Sequence, residues 1–423
     1  MVTLVVLGVA AFLFLLVRAG RGWWLRGVPV ALVATGVSVF LLYGTLTWWW
    51  RPWPDPLPPL VWLAIVAGLG AVWLAVTRSA AAPRSWWRPP RNLVLALVVL
   101  VAAAELANVQ FGQYPTVRDA FGLPQPNQVA FAKVGNTKRA LVAPRPGEPL
   151  ADVWHAPKWL PRHGAVAEVT IPGTVSHFAA RSGWVYLPPA YLSSPRAELP
   201  VLVLVGGQPG NSDDWLYGGM LASRMDRFAA AHHGLAPVVV MPDDLTAPTV
   251  NPMCLDSRIG NAATYLATDV PDWIRTHLQV NTDTRTWAFG GFSNGGTCAV
   301  QTGVLAPHVY PTFLDFSGEN RPNSGTVAQT VDAAFGGDMA AYHAINPRDV
   351  LTRTRFPDSA GQFVAGAADE RYLRQTRQMY QAALAAGMDA HMHVLPGGHS
   401  WAVWGPALGV LLPWLATRME LTR

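Results

Sequence analysis

The chain has 423 residues, 51% hydrophobic and only 13% charged, with a formal net charge of +5 at pH 7. It is long enough for two or three units and too apolar for an ordinary soluble enzyme. Up to Gln110 it carries eight arginines, no lysine and two acids (Asp55, Glu105), a local +6 that leaves −1 for the rest, so its basicity is no argument for a nucleic-acid partner.

Four apolar runs open the chain: Val2 to Val17, Val28 to Trp50, Leu57 to Thr77 and Leu93 to Val109. They predict an all-α transmembrane region of four helices over residues 1–110, since about 17 to 25 apolar residues cross a bilayer core. The first loop carries Arg18, Arg21 and Arg26 and the third Arg78, Arg84, Arg88 and Arg91, against one arginine and Asp55 between Arg51 and Pro56. Positive loops stay in the cytoplasm, which puts the N-terminus and everything after the fourth helix outside. Trp23, Trp24, Trp48 to Trp50, Trp53, Trp86 and Trp87 sit at the expected helix ends, like interfacial belts. The first run lacks the basic start of a cleaved signal peptide. Glu105 falls near the outer end of its run, within reach of headgroups, so the region reads as an anchor and not a transport path.

Residues 111–164 are broken by Pro115, Pro124, Pro126, Pro144, Pro146, Pro149, Pro157 and Pro161 and read as an extracytoplasmic linker, some of which could pack on the domain after it. Over residues 165–423, strands are expected at Ala165 to Ile171, Gly183 to Leu187, Pro200 to Val205, Val238 to Met241, Thr286 to Phe289, Gln362 to Ala365 and His391 to Leu395. Helical stretches between them imply an α/β domain, a mostly parallel sheet with helices on both faces whose ligands bind at the C-terminal strand ends.

The most informative stretch is Gly290-Gly291-Phe292-Ser293-Asn294-Gly295-Gly296. A serine between near side-chain-free positions, after a short apolar strand and before a helix, fits a nucleophile elbow. Two later strands then end in Asp369-Glu370 and in His399, the Ser, acid, His order of α/β-hydrolases. His399 would relay the serine proton and the acid would fix its tautomer; Asp369 is preferred as nearer the strand end, with Glu370 as the alternative. The expected oxyanion hole joins the N–H of Asn294 to that of Gln208, since Pro209 has none to give. Cys254 and Cys298 pair in a disulfide if the domain lies outside the cytoplasm and are otherwise buried thiols. His391 and His393 have no carboxylate or cysteine at ligand spacing, so no metal is expected, nor any cofactor.

With these residues placed, the stretch from about Val169 to Leu415 resembles the esterase family of α/β-hydrolases that includes esterase D-like enzymes and the antigen 85 mycolyltransferases. The resemblance rests on Trp184 to Tyr191, on Leu199 to Gly210 followed by Asp213-Asp214-Trp215, on Gly260 to Leu266 with Asp269 to Ile274, and on His399-Ser400-Trp401 with Trp404. It implies an α/β-hydrolase fold and serine acyl chemistry on an ester by Ser293, His399 and an acid, and marks Trp401 and Trp404 as candidate substrate-binding residues. Ser317 to Asp338 has the length of a lid without a feature that fixes a substrate. A four-helix anchor is not part of the secreted mycolyltransferases. The expected protein is thus a membrane-anchored, extracytoplasmic serine esterase acting on a lipid or cell-envelope ester. The alternatives are acyl transfer to a sugar or other alcohol and a non-catalytic binding domain; no protein partner is indicated.

Overall fold

The computed structural model describes residues 2–50, 56–81, 86–135 and 138–423, and it divides into two units, Met1–Gly112 and Gln113–Arg423. Arg51, Trp53, Asp55 and Arg84 lie outside the described residues.

In the first unit the apolar runs form α1 (Val2–Leu16), α2 (Trp23–Trp49), α3 (Pro59–Ala80) and α4 (Arg88–Phe111). The latter three, with 27, 22 and 24 residues, are long and apolar enough to cross a membrane. At 15 residues α1 spans roughly 22 Å, short of the ~30 Å hydrocarbon core. Four apolar helices therefore form and three reach spanning length. Small residues bring them together: Ala11, Ala31, Ala71, Ala75 and Ala96 are buried, and a Cβ on Gly8 would lie 2.4 Å from that of Ala102. Trp23 departs from the expected belt. Only 5% exposed, it turns inward because its Nε1–H donates to the Leu16 carbonyl at 2.8 Å, one of the acceptors left open where α1 ends. Trp24, Trp48, Trp49, Trp50, Trp86 and Trp87 are exposed. Gly112, in the left-handed region at φ 69°, ends α4.

The second unit is built on eight strands: β1 (Ala165–Val169), β2 (Gly183–Leu187), β3 (Val201–Val205), β4 (Val238–Met241), β5 (Trp287–Phe292), β6 (Thr312–Phe316), β7 (Ala360–Gly366) and β8 (Asp389–Leu395). Their order across the sheet is β8-β7-β6-β5-β3-β4-β2-β1, with β2 antiparallel to both neighbours and all other pairs parallel. The central strands are buried at every position, as a parallel sheet covered on both faces requires. The helices that cover it include α5 (Leu221–Ala231), α6 (Val270–His277), α7 (Asn294–Leu305), α8 (Glu370–Ala385) and α9 (Trp401–Arg418).

Strand β6 is not among the strands expected from sequence. Asp315 near its end breaks the apolar pattern, yet Asp315 is fully buried and burial pushes its carboxyl up to about 7. The proline-broken segment is also less of a linker than expected. Leu150 and Trp154 enter the core, Leu141–Val142 pairs with Arg196–Ala197, and the Gln113 side chain joins Asp214 (2.7 Å) to the Trp401 indole (2.6 Å). Proline prevents long elements there without preventing single residues from docking.

Candidate active site

Strand β5 runs straight into α7 with one residue at the bend. Ser293 sits there at φ 54°, ψ −118°, a conformation that side chains rarely adopt, held by its N–H donating to the Phe316 carbonyl at 2.8 Å. The turn closes only because its neighbours lack Cβ atoms. One on Gly291 would lie 2.4 Å from the Gly295 carbonyl oxygen, and one on Gly295 would lie 2.3 Å from that of Gly206.

The two loops singled out downstream converge on this serine. His399 Nε2 lies 2.9 Å from Ser293 Oγ, and His399 Nδ1 lies 2.7 Å from Asp369 Oδ2. Asp369 is buried with its side chain 6% exposed, whereas Glu370 opens α8 with its side chain 87% exposed and faces Arg374 at 4.0 Å. The hydrogen-bonded chain is thus Ser293, His399, Asp369, and Glu370 is outside it. Neutral His399 with its proton on Nδ1 donates to the carboxylate and accepts at Nε2 from the serine hydroxyl.

The N–H groups of Gln208 and Asn294 hydrogen-bond to nothing among the described residues. The side chains of the same two residues are tied together by Asn251, whose Nδ2 donates to Gln208 Oε1 (2.8 Å) and Asn294 Oδ1 (2.9 Å). The loop carrying Asn251 is fastened to α7 twice: a disulfide joins Cys254 to Cys298, and Gln301 Nε2 donates to the carbonyls of Met253 and Cys254. Met253 and Cys254 both sit at positive φ (60° and 50°), and these fastenings hold them there.

Trp401 and Trp404 are 4% and 5% exposed, and their indole N–H groups are taken by Gln113 and by Ser317 Oγ. They meet the site as packing: Trp404 lies edge-on to His399 at 4.8 Å and both rings contact Phe292. Tyr372, which no sequence motif singles out, stacks on His399 with ring centroids 3.8 Å apart and hydrogen-bonds Ser293 through its hydroxyl. Burial, with Glu319 nearby, holds its phenol well above the usual range. Glu319 is itself pushed up by burial and accepts from Asn323 (2.9 Å) and Arg371 (3.0 Å).

His391 bonds Asp389 (3.0 Å) and His393 bonds Gln362 (2.8 Å). Among the described residues the one group with three possible ligand atoms is Asp244, Cys254 and Cys298, and its two sulfurs are bonded to each other.

Comparison with known proteins decides the family. Residues 180–415 match the Esterase family model. The chain belongs to the Esterase family. It is also 34% identical over 433 aligned positions to an uncharacterized protein of Corynebacterium glutamicum, an alignment spanning 98% of this chain and 95% of that one. The alignment therefore takes in most of the apolar N-terminal region of this chain as well as the Esterase region. A ferulic acid esterase structure superposes with a TM-score of 0.52 at 20% identity, covering 60% of this chain and 98% of its own. An S-formylglutathione hydrolase from Agrobacterium tumefaciens does so with a TM-score of 0.50 at 18% identity, covering 61% and 97%. Both likenesses establish the α/β-hydrolase fold of this Esterase-family chain.

Proposed function

We propose that this protein is a membrane-anchored serine esterase that cleaves a lipid or cell-envelope ester through an acyl-enzyme, with its catalytic domain outside the cytoplasm. The observation that carries the proposal is the hydrogen-bonded chain from Ser293 through His399 to Asp369 in a member of the Esterase family. Ser293 Oγ attacks the ester carbonyl carbon while its proton passes to His399 Nε2. The carbonyl oxygen, now negative, is held by the N–H groups of Gln208 and Asn294. Collapse breaks the carbon–oxygen bond to the alcohol, which leaves with the proton from His399. Water, deprotonated by His399, then releases the acid and restores Ser293.

The anchor reading rests on three helices of spanning length and on the arginine-rich stretches between α1 and α2 and between α3 and α4. Those loops favour a cytoplasmic first and third connection and an external catalytic unit, and the Cys254–Cys298 disulfide agrees with an oxidising compartment.

The test is fluorophosphonate labelling of the full-length protein and of Ser293→Ala, Asp369→Ala and Glu370→Ala. Label is expected on the wild type and on Glu370→Ala, strongly reduced on Asp369→Ala and absent on Ser293→Ala. Folded wild type that takes no label would instead mark the domain as a non-catalytic relative.

A further inference from the structure

Four arginines converge on one cavity in the first unit. Arg18 follows α1, Arg78 lies in the last turn of α3, and Arg88 and Arg91 open α4; with Trp87 they line a space of about 200 Å³. Two of the four are engaged by backbone. Arg78 donates to the carbonyls of Leu15 (3.1 Å) and Val17 (2.9 Å), and Arg18 donates to those of Arg78 (3.4 Å) and Ala81 (3.3 Å). Each caps the C-terminal end of the other's helix, where open carbonyls and the dipole favour a cation.

Arg88 and Arg91 have no such account. They stand in the first turn of a 24-residue helix, the end at which the dipole disfavours positive charge and favours an anion. Arg91 is held in place: it donates to Asn92 Oδ1 (3.2 Å), and Asn92, fully buried, donates to Ser79 of α3 (3.0 Å). Its guanidinium lies over Trp87 (4.7 Å) and Phe14 (4.9 Å), and its Nε–H is buried without a partner. Among the described residues no carboxylate lines the cavity. The first 112 residues contain two acids, Asp55 and Glu105. Glu105 lies further along α4, roughly 20 Å from Arg91 at 1.5 Å per residue, and Asp55 lies outside the described residues.

We propose that this cavity binds a phosphate oxyanion, supplied by the headgroup of an anionic phospholipid. Guanidinium forks match phosphate oxygens in pairs, and a basic pocket between membrane helices is where an acidic headgroup docks. The lipid as source rests on the reading of these helices as a membrane anchor; the anion site rests on the arginines alone.

Native mass spectrometry of the full-length protein in detergent, titrated with phosphatidylglycerol, phosphatidylcholine or inorganic phosphate, tests it. Phosphatidylglycerol is expected to be retained roughly tenfold or more over phosphatidylcholine. The double variant Arg88→Gln/Arg91→Gln should lose that preference, and Arg88→Lys/Arg91→Lys should keep part of it. Inorganic phosphate bound with the same arginine dependence, and no lipid preference, would overturn the lipid as source and keep the anion site. Equal retention of both lipids with no arginine-dependent phosphate binding would overturn the site. Fluorophosphonate labelling of the glutamine variant shows whether the catalytic unit is intact, so failure here stays distinct from failure of the esterase assignment.

Discussion

The Tyr372 ring lies stacked on the His399 imidazole, centroids 3.8 Å and planes 27° apart, while its hydroxyl hydrogen-bonds Ser293. One side chain thus touches both partners of the proton transfer. Tyr372→Phe keeps the stack and removes the hydroxyl, and should lower kcat/KM for an activated ester roughly 3- to 10-fold, the worth of one hydrogen bond. Tyr372→Leu also removes the ring that packs on the imidazole and should lower kcat/KM further than Tyr372→Phe. A phenylalanine variant with unchanged kcat/KM would leave the tyrosine a packing residue only.

Asn251 touches no reacting atom and acts through Gln208 and Asn294. Asn251→Ala should lower kcat about tenfold with little change in KM, since a loosened oxyanion pair binds the ground state as before and the transition state less well. Equal changes in both constants would argue for a contact with substrate instead.

The disulfide between Cys254 and Cys298 closes a loop with a sequence separation of 44. In the chain-entropy account that constraint contributes about 4 kcal/mol, so Cys254→Ser/Cys298→Ser should melt well below the wild type. Peptide maps with and without reductant should differ at these two cysteines; identical maps would mean that the bond does not form in the protein as made.

Asp315 supplies a pH dependence of stability. Burial raises its folded pKa to about 7 from an ordinary 3.8, so the folded state holds the proton more tightly than the unfolded chain. Its contribution is most favourable below pH 4 and is lost as pH rises towards 7, by about 4 kcal/mol at most. Asp315→Asn should flatten denaturant midpoints across that window and gain relative to wild type above pH 7. A wild-type curve that already lacks this slope would refute the assignment.

What could be read from the sequence was whatever a local pattern encodes. The elbow glycines, the apolar runs of β3 and β4 and the acid and histidine just past β7 and β8 each announce themselves within a few residues, because strand ends in a parallel sheet share one edge. Strand β6 did not, since a buried carboxylate sits where the pattern calls for an apolar residue. Trp23 was read by its place at a helix end, while an acceptor at the end of α1 draws it inward. Tyr372 and Asn251 carry no motif. Their placement depends on where α8 starts and how the loop after β4 folds back on α7, which only the tertiary structure specifies.

The bond between Cys254 and Cys298 also bears on how firmly Asn251 is held. Until it closes, the segment bearing Asn251 is tied to α7 only by the hydrogen bonds of Gln301 and of Asn251 itself, so a domain kept reduced has its serine and histidine but a slacker clasp across Gln208 and Asn294. Material produced in a reducing cytoplasm should therefore turn over ester slowly until it is oxidised.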